Sequence, residues 1–144
     1  MLNKIPKILS PELVKILMEM GHGDEIIIAD GNFPSASCAQ RLVRADGLSG
    51  TDILDAVLEL FPLDPYGEEA PVSLMEIVPG DTVETPIWDE YKGIVKKHNA
   101  SFKDFNFIER FEFYERAKKA FAVIATGEGA LYANVLIRKG VVVD

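Results

Sequence analysis

Residues 10–30, SPELVKILMEMGHGDEIIIAD, contain an amphipathic helix, a glycine-rich turn and an apolar strand in immediate succession. Ser10 is a typical helix cap and Pro11 a typical first helical residue, and apolar side chains then recur on one helical face. Gly21 is expected to end this helix in a left-handed cap. The β-branched run at 26–29 predicts a strand that is buried on both faces. A helix packed against a buried strand is therefore the first predicted unit.

The same alternation continues along the chain. Further strands are predicted at 40–45, 71–78, 105–108, 121–126 and 133–138, and further helices at 49–61, 86–98 and 111–119. Short connections join these elements, and several strands are too apolar to have a solvated face. The pattern predicts an α/β fold, a single-domain three-layer sandwich over residues 1–144, with a central mixed sheet and helices on both faces.

The composition disfavours several classes of protein and partner. The formal charge is −8 and no basic run exceeds two residues, which argues against nucleic acid and anionic membranes as partners. No stretch approaches the ~18 apolar residues of a membrane helix. Cys38 is the only cysteine, so neither an intrachain disulfide nor a cysteine zinc cluster is available. With no export signal, a cytoplasmic location is expected.

His22 is the first candidate for chemistry because it lies between two glycines, just before a buried strand that ends at Asp30. A capping role for His22 beside solvated carboxylates explains the same pattern. A metal site formed by His22, Asp24, Glu25 and Asp30 is a further alternative, disfavoured because no second histidine has ligand spacing. The other histidine, His98, is expected to be a favourable cation at a helix end.

Two later segments carry further candidates. Arg110 stands at a helix start, where the helix dipole disfavours a cation, and a residue placed against local preference hints at function. Tyr132 and Asn134 supply a hydroxyl and an amide that suit sugar hydroxyls. Gly127 and Gly129 do not form a dinucleotide-binding fingerprint, since no third glycine follows.

Taken together, these segments resemble the D-ribose pyranase and L-fucose mutarotase family. The resemblance rests on MGHGDEI at 20–26, DGNFP at 30–34, RFEFYERA at 110–117, TGE at 126–128 and YAN at 132–134, in the family's order over residues 2–142. Arg110 and the stretch RADGL at 44–48 are similar to the fucose branch, whereas ribose pyranases usually carry histidine at the position of Arg110. Gly31 and Ala133 depart from the usual alanine and glycine, and these departures bear on substrate choice more than on reaction type.

The resemblance implies an isomerase that needs no cofactor and no metal, an aldose mutarotase that opens and recloses the ring of L-fucose and related monosaccharides. It places the catalytic acid/base at His22, and Tyr114 is a further candidate for the proton partner. The substrate-binding residues that it implies are Asp30, Arg110, Tyr132, Ala133 and Asn134.

Three alternatives remain at this point: a D-ribose pyranase, a non-catalytic monosaccharide-binding module, and a metal-dependent isomerase. The resemblance also implies a homo-oligomer, often a decameric ring, with sites completed by a neighbouring subunit. The phenylalanines at 102, 105, 107, 111 and 113 are expected to form an apolar cluster that could face such a partner.

Overall fold

Helices and strands alternate along residues 1–144, all of which the computed structural model describes. The elements are α1 (Pro11–Glu19), β1 (Glu25–Ala29), α2 (Ser35–Cys38), β2 (Leu42–Ala45), α3 (Gly50–Leu58), β3 (Val72–Met75), α4 (Pro86–His98), β4 (Asn106–Ile108), α5 (Arg110–Lys119), β5 (Ala122–Thr126) and β6 (Val135–Arg138). Every helix and strand expected from the sequence is present. None of the helices combines the length and the apolarity needed to cross a bilayer.

All six strands form one mixed sheet in the order β2-β5-β1-β6-β3-β4. The pairs β1–β5, β2–β5 and β3–β4 are parallel, whereas β6 is antiparallel to both of its neighbours. Five strands therefore point in one direction and β6 alone points in the other. As a result, the carboxyl ends of five strands and the amino end of β6 meet at one edge of the sheet.

Strand β1 divides its side chains between two cores. Ile26 and Ile28 belong to a cluster of 25 buried residues, whereas Ile27 and Ala29 belong to a cluster of 11 on the other face. Helices α1, α3 and α4 cover the larger core, and α2 and α5 cover the smaller one. Because both faces are covered, no strand position needs a polar side chain, which explains the uninterrupted apolar runs. The predicted three-layer sandwich is confirmed.

One local expectation was wrong, and one helix was missed. Gly21 is not left-handed, because α1 ends with Met20 in extended conformation and the left-handed residue is Gly23, at φ +86°. The N–H of Gly21 is held instead by the carboxylate of Asp24 at 2.8 Å. Helix α2 was not expected, since four residues are too few for a periodic pattern.

The five phenylalanines do not form one cluster. Phe102 lies in the larger core and Phe113 in the smaller one, on opposite faces of the sheet. Phe107 and Phe111 are the exposed members, at 43% and 67%. Sequence proximity was misleading because a strand and a helix separate these side chains. The cluster therefore gives no support for a partner surface.

Candidate active site

A cavity of about 190 Å³ opens at the sheet edge where the five parallel strands end. This edge is the usual ligand site of such sheets, at the point where strand order reverses. The lining residues are Asp30, Asn32, Phe33, Met75, Val78, Arg110, Tyr114, Leu131, Tyr132 and Asn134. The structure thus brings together Asp30, Arg110, Tyr114, Tyr132 and Asn134 from three separate segments of the chain.

A larger groove, of about 1220 Å³, lies between the N-terminal segment and α1. Aliphatic side chains and a few lysines line it, and none of the candidate site residues reaches it. Binding sites for polar ligands need convergent hydrogen-bonding groups rather than volume alone. The smaller cavity therefore remains the candidate site.

Asp30 and Asn134 form a reciprocal clamp at the base of the cavity. The backbone N–H of Asp30 donates to the side-chain oxygen of Asn134 at 2.8 Å, and the Asn134 side chain also supports the Asp30 carboxylate. Both residues are buried, at 7% and 4% exposure. Because Asp30 follows β1 and Asn134 precedes β6, the clamp fixes the two polar groups to adjacent strands.

Burial raises the pKa of Asp30 above its usual value. Hydrogen bonds from the backbone N–H groups of Asn32, Ala133 and Phe33, and from the Asn134 side chain, act in the opposite direction. These donors belong to the two chain segments that follow β1 and precede β6. Ala133 therefore contributes a backbone group to the site, although its side chain is buried and does not line the cavity.

Arg110 and Tyr114 lie one turn apart on α5 and face the same cavity. The guanidinium Nε of Arg110 donates to the Tyr114 hydroxyl at 3.3 Å, and this contact raises the pKa of Arg110. Glu109 caps the helix by accepting from the N–H groups of Phe111 and Glu112. The carboxylate of Glu109 also offsets the unfavourable position of a cation at the first turn.

Tyr132 has an unusual backbone conformation, with φ +54°. Its hydroxyl donates to Asp81 Oδ2 at 2.7 Å and accepts from the N–H of Val78 at 3.3 Å. The hydrogen bond to Asp81 raises the pKa of Tyr132, so the phenol stays protonated near neutral pH. Tyr132 is therefore a fixed hydroxyl at the cavity rim rather than an ionised base.

His22 lies at the opposite edge of the sheet from Asp30. The five-residue rise of β1 separates the Cα atoms of Glu25 and Asp30 by about 17 Å, and His22 lies before Glu25. The imidazole is 49% exposed, with Nε2 at 3.2 Å from Asp64 Oδ1 and an edge-on contact to Tyr66. Within one chain, His22 and the cavity do not meet.

Asp64 is the partner of His22 that sequence reasoning missed. Its side chain is 7% exposed and accepts from Arg138 Nε at 2.9 Å and from the N–H of Tyr66 at 3.1 Å. Burial alone would raise the pKa of Asp64, but these hydrogen bonds, together with that to His22, hold it below its usual value. The only sequence signal was a carboxylate between two prolines, in a stretch that looked like an ordinary loop.

The other candidates have structural roles. The Nε2 of His98 lies 2.6 Å from Asp55 Oδ1, which adds an α3–α4 contact to the expected helix-end position. Cys38 is buried. The four side chains of the metal hypothesis do not converge, because Asp30 lies at the other sheet edge, and no group of three or more potential ligands is close enough to hold an ion.

Comparison with known proteins identifies the family. The model described as the RbsD / FucU transport protein family matches residues 3–142. The chain belongs to this family. The fucose mutarotase of Homo sapiens is 53% identical over 97% of this chain and 94% of its own length.

Two solved structures of RbsD/FucU proteins show the same architecture. FucU from Bifidobacterium longum is 55% identical, with a TM-score of 0.94, and the match covers 98% of this chain and 100% of that one. The fucose mutarotase of Streptococcus pneumoniae, solved in complex with L-fucose, is 49% identical with a TM-score of 0.93, over 99% and 100% of the two chains.

The two departures from the family pattern, Gly31 and Ala133, are each adjacent in sequence to residues that line the cavity. A Cβ atom at Gly31 would lie 3.2 Å from the carbonyl oxygen of Glu128, a tight contact that glycine avoids. Ala133 is 1% exposed, so its methyl group is packed into the larger core. Neither substitution removes a hydrogen-bonding group, because the backbone of both residues is intact.

Proposed function

We propose that this protein interconverts the α and β anomers of L-fucose. The observation that carries the proposal is the cavity at the carboxyl edge, where a carboxylate, an amide, two phenols and a guanidinium converge. Its hydrogen-bonding groups suit a neutral sugar with several hydroxyls. The similarity to the S. pneumoniae fucose mutarotase, which binds L-fucose, supports the choice of sugar.

The reaction needs only proton transfer. A base takes the proton of the anomeric hydroxyl, the bond between C1 and the ring oxygen breaks, and an acid gives a proton to that oxygen. The aldehyde rotates about the C1–C2 bond, and the reverse transfers close the ring as the other anomer. No electrons are exchanged and the proton count is unchanged, so side chains of suitable pKa suffice.

We assign the proton carrier to His22, because an imidazole has two ring nitrogens and can both accept and donate a proton. Asp30 and Asn134 would accept and donate hydrogen bonds at one end of the sugar. Arg110 and Tyr132 would hold hydroxyls at the cavity rim, and the hydroxyl of Tyr114 is the candidate for the second proton transfer. No step of this scheme requires a cofactor.

His22 can act on a sugar in the cavity only if it comes from another copy of the chain. The separation of at least about 17 Å along β1 is rigid, because β1 is hydrogen-bonded on both sides. We therefore infer a homo-oligomer in which His22 of the partner subunit completes each site. The family resemblance favours a decameric ring.

A second candidate function follows from the same separation. A monomer would keep the sugar-binding groups of the cavity and lack a proton carrier, and would be a monosaccharide-binding module without turnover. The oligomeric state in solution, measured by light scattering, distinguishes the two. We also propose a cytosolic location, which the unpaired Cys38 supports.

Saturation transfer between the two anomeric proton signals of L-fucose tests the proposal. Catalytic amounts of protein should increase the exchange rate, and the His22→Gln variant should not. D-Ribose in the same assay tests pyranose–furanose interconversion, and treatment with a chelator tests a metal requirement. Absence of exchange with every sugar, alongside binding in calorimetry, would contradict an enzyme and favour the binding module.

A further inference from the structure

The peptide group between Tyr132 and Ala133 lies between α4 and the candidate site. Its carbonyl oxygen accepts a hydrogen bond from the indole Nε1 of Trp88 at 2.8 Å. Its N–H, on Ala133, acts on the Asp30 carboxylate in the direction that lowers the pKa of that group. One rigid peptide plane therefore connects the only tryptophan of the chain to the buried carboxylate of the cavity.

This peptide has two orientations that differ in their effect on the site. In the observed one, both polar groups have partners of the right kind. A rotation by about 180° would point the carbonyl oxygen at the Asp30 carboxylate and remove the acceptor of the Trp88 indole. Acceptor would then face acceptor, so the Trp88 hydrogen bond selects the orientation that presents an N–H to Asp30.

The backbone of Tyr132 needs this support. Its φ of +54° is a conformation that a bulky L residue rarely adopts, so local preference works against the observed geometry. Tyr91, three residues after Trp88 on the same face of α4, donates its hydroxyl to the next carbonyl, that of Ala133, at 2.9 Å. Two side chains of one helix thus hold two successive carbonyl groups.

The hydroxyl of Tyr91 remains a hydrogen-bond donor at every pH at which the protein is folded and active. Its ring is fully buried, and burial, followed by the negative charges of Glu128 and Asp30, raises the pKa of Tyr91. The hydroxyl therefore keeps its proton throughout the range of pH in which the protein would work. The indole N–H of Trp88 does not titrate at all. Trp88 and Tyr91 therefore hold the carbonyl groups of residues 132 and 133 independently of pH.

We propose that Trp88 is a positioning residue for sugar binding, which sets the orientation of the Tyr132–Ala133 peptide and through it the Asp30 carboxylate and the Tyr132 side chain. The inference rests on the proposed function of the cavity. Trp88 does not line that cavity, so its effect on the sugar is indirect. Losing its hydrogen bond should weaken substrate binding while leaving the proton carrier unchanged.

The presence of a single tryptophan allows a test at one atom. In a tryptophan auxotroph, Trp88 can be replaced by benzothienylalanine, in which sulfur stands in place of the indole N–H and the ring shape is kept. We expect the KM for L-fucose to rise about five-fold, the effect of one net hydrogen bond, with kcat per folded protein within about two-fold. The Trp88→Phe variant should change KM in the same direction.

A matched control separates this role from ordinary packing. The ring of Phe107 lies 5.2 Å from that of Trp88, so Phe107→Leu disturbs the packing of the indole and leaves its N–H in place. We expect this variant to keep the KM of the unmodified protein. An equal rise in KM for Phe107→Leu, or an unchanged KM for the benzothienylalanine protein, would overturn the proposal.

A spectroscopic measurement gives an independent readout. The single indole N–H resonance of the ¹⁵N-labelled protein should shift when L-fucose saturates the cavity, because the peptide it holds contacts Asp30. A resonance that does not move on saturation would also overturn the inference. Exchange assays on the unmodified protein run alongside: if that protein does not catalyse exchange, the proposed function fails, and the inference fails with it for that reason.

Discussion

The imidazole Nε2 of His22 lies 3.2 Å from Oδ1 of Asp64, while Arg138 holds the second oxygen of the same carboxylate. The pKa of Asp64 is held below its usual value, so this carboxylate is ionised near neutral pH and can only accept. Neutral His22 must therefore carry its proton on Nε2. The ring nitrogen left to take a proton from a substrate is Nδ1.

Replacing Asp64 should slow the exchange reaction. In the Asp64→Asn variant, the amide can present an N–H to the imidazole and favour the other tautomer, so we expect the L-fucose exchange rate to fall about ten- to hundred-fold. Saturation-transfer NMR measures this rate. Asp24→Asn is the matched control, because Asp24 lies in the same turn as His22. Its carboxylate accepts from the backbone N–H of Gly21 and does not contact the imidazole. Equal rates for the two variants would show that Asp64 has no special relation to His22.

Asp64 should also make the free energy of unfolding depend on pH in the acidic range. Its pKa in the folded protein is below the usual 3.8, so its contribution is complete above 3.8 and is lost as pH falls through the folded value. Urea unfolding measured on both sides of pH 3.8 gives the free energy of unfolding of the unmodified protein and of Asp64→Asn. We expect the difference between the two to decrease as the pH is lowered. A difference that stays constant with pH would mean that Asp64 has the same pKa in both states.

The two buried carboxylates should titrate on opposite sides of the ordinary value. Burial raises the pKa of Asp30, whereas the hydrogen bonds to Asp64 lower its pKa. In a ¹³C titration of the side-chain carboxyl carbons, we expect the Asp30 midpoint above 3.8 and the Asp64 midpoint below it. The signals are assigned by their disappearance in Asp30→Asn and Asp64→Asn. The reverse order would contradict the described hydrogen bonding.

Removing the Tyr91 hydroxyl should destabilise the protein. Tyr91→Phe leaves the carbonyl oxygen of Ala133 buried without its donor, which should lower the free energy of unfolding by about 1–3 kcal/mol. Equilibrium urea unfolding measures the loss. Tyr66→Phe serves as the control, since Tyr66 is 66% exposed and a surface change of this kind costs at most about 0.5 kcal/mol. Similar losses in both variants would argue against the buried hydrogen bond.

A site shared between subunits predicts complementation. His22→Gln lacks the proton carrier and Asn134→Ala lacks part of the cavity, so each homo-oligomer should be inactive. After denaturation and refolding of an equal mixture, random assembly should restore about a quarter of the sites. Each active site needs an intact cavity from one subunit and an intact His22 from its neighbour, and each of the two is present in about half of the subunits. The exchange rate measures the recovery. Mixed refolding that restores nothing, with normal oligomers present, would contradict a shared site.

Periodicity was sufficient to predict most of the fold. The apolar run at 26–29 indicated a strand buried on both faces, and its side chains do divide between two cores. Helix α4 begins and ends at the expected residues, because Pro86 and the terminal His98 are strong local signals. Helix α2 was not predicted, since four residues contain too few positions to reveal a helical period.

The site could be predicted only in part, because its geometry is not local. The family resemblance indicated four substrate-binding residues, Asp30, Arg110, Tyr132 and Asn134. All four line one cavity in the structure. The predicted strand at 26–29 already separated His22 from Asp30, but nothing along the chain indicated that the other candidate residues would all lie at the Asp30 end. Asp64 and Arg138 are 74 residues apart, so their ion pair could not be inferred from spacing.

The position of β6 has a consequence for synthesis on the ribosome. This strand is the last to be made, yet it is the only one that joins β3 and β4 to the remaining strands. Until residues 135–138 leave the exit tunnel, the nascent chain holds two incomplete half-sheets with open edges. The sheet can therefore close only after residues 135–138 have emerged, and until then the open edges of β1 and β3 depend on chaperones for protection against pairing with other chains.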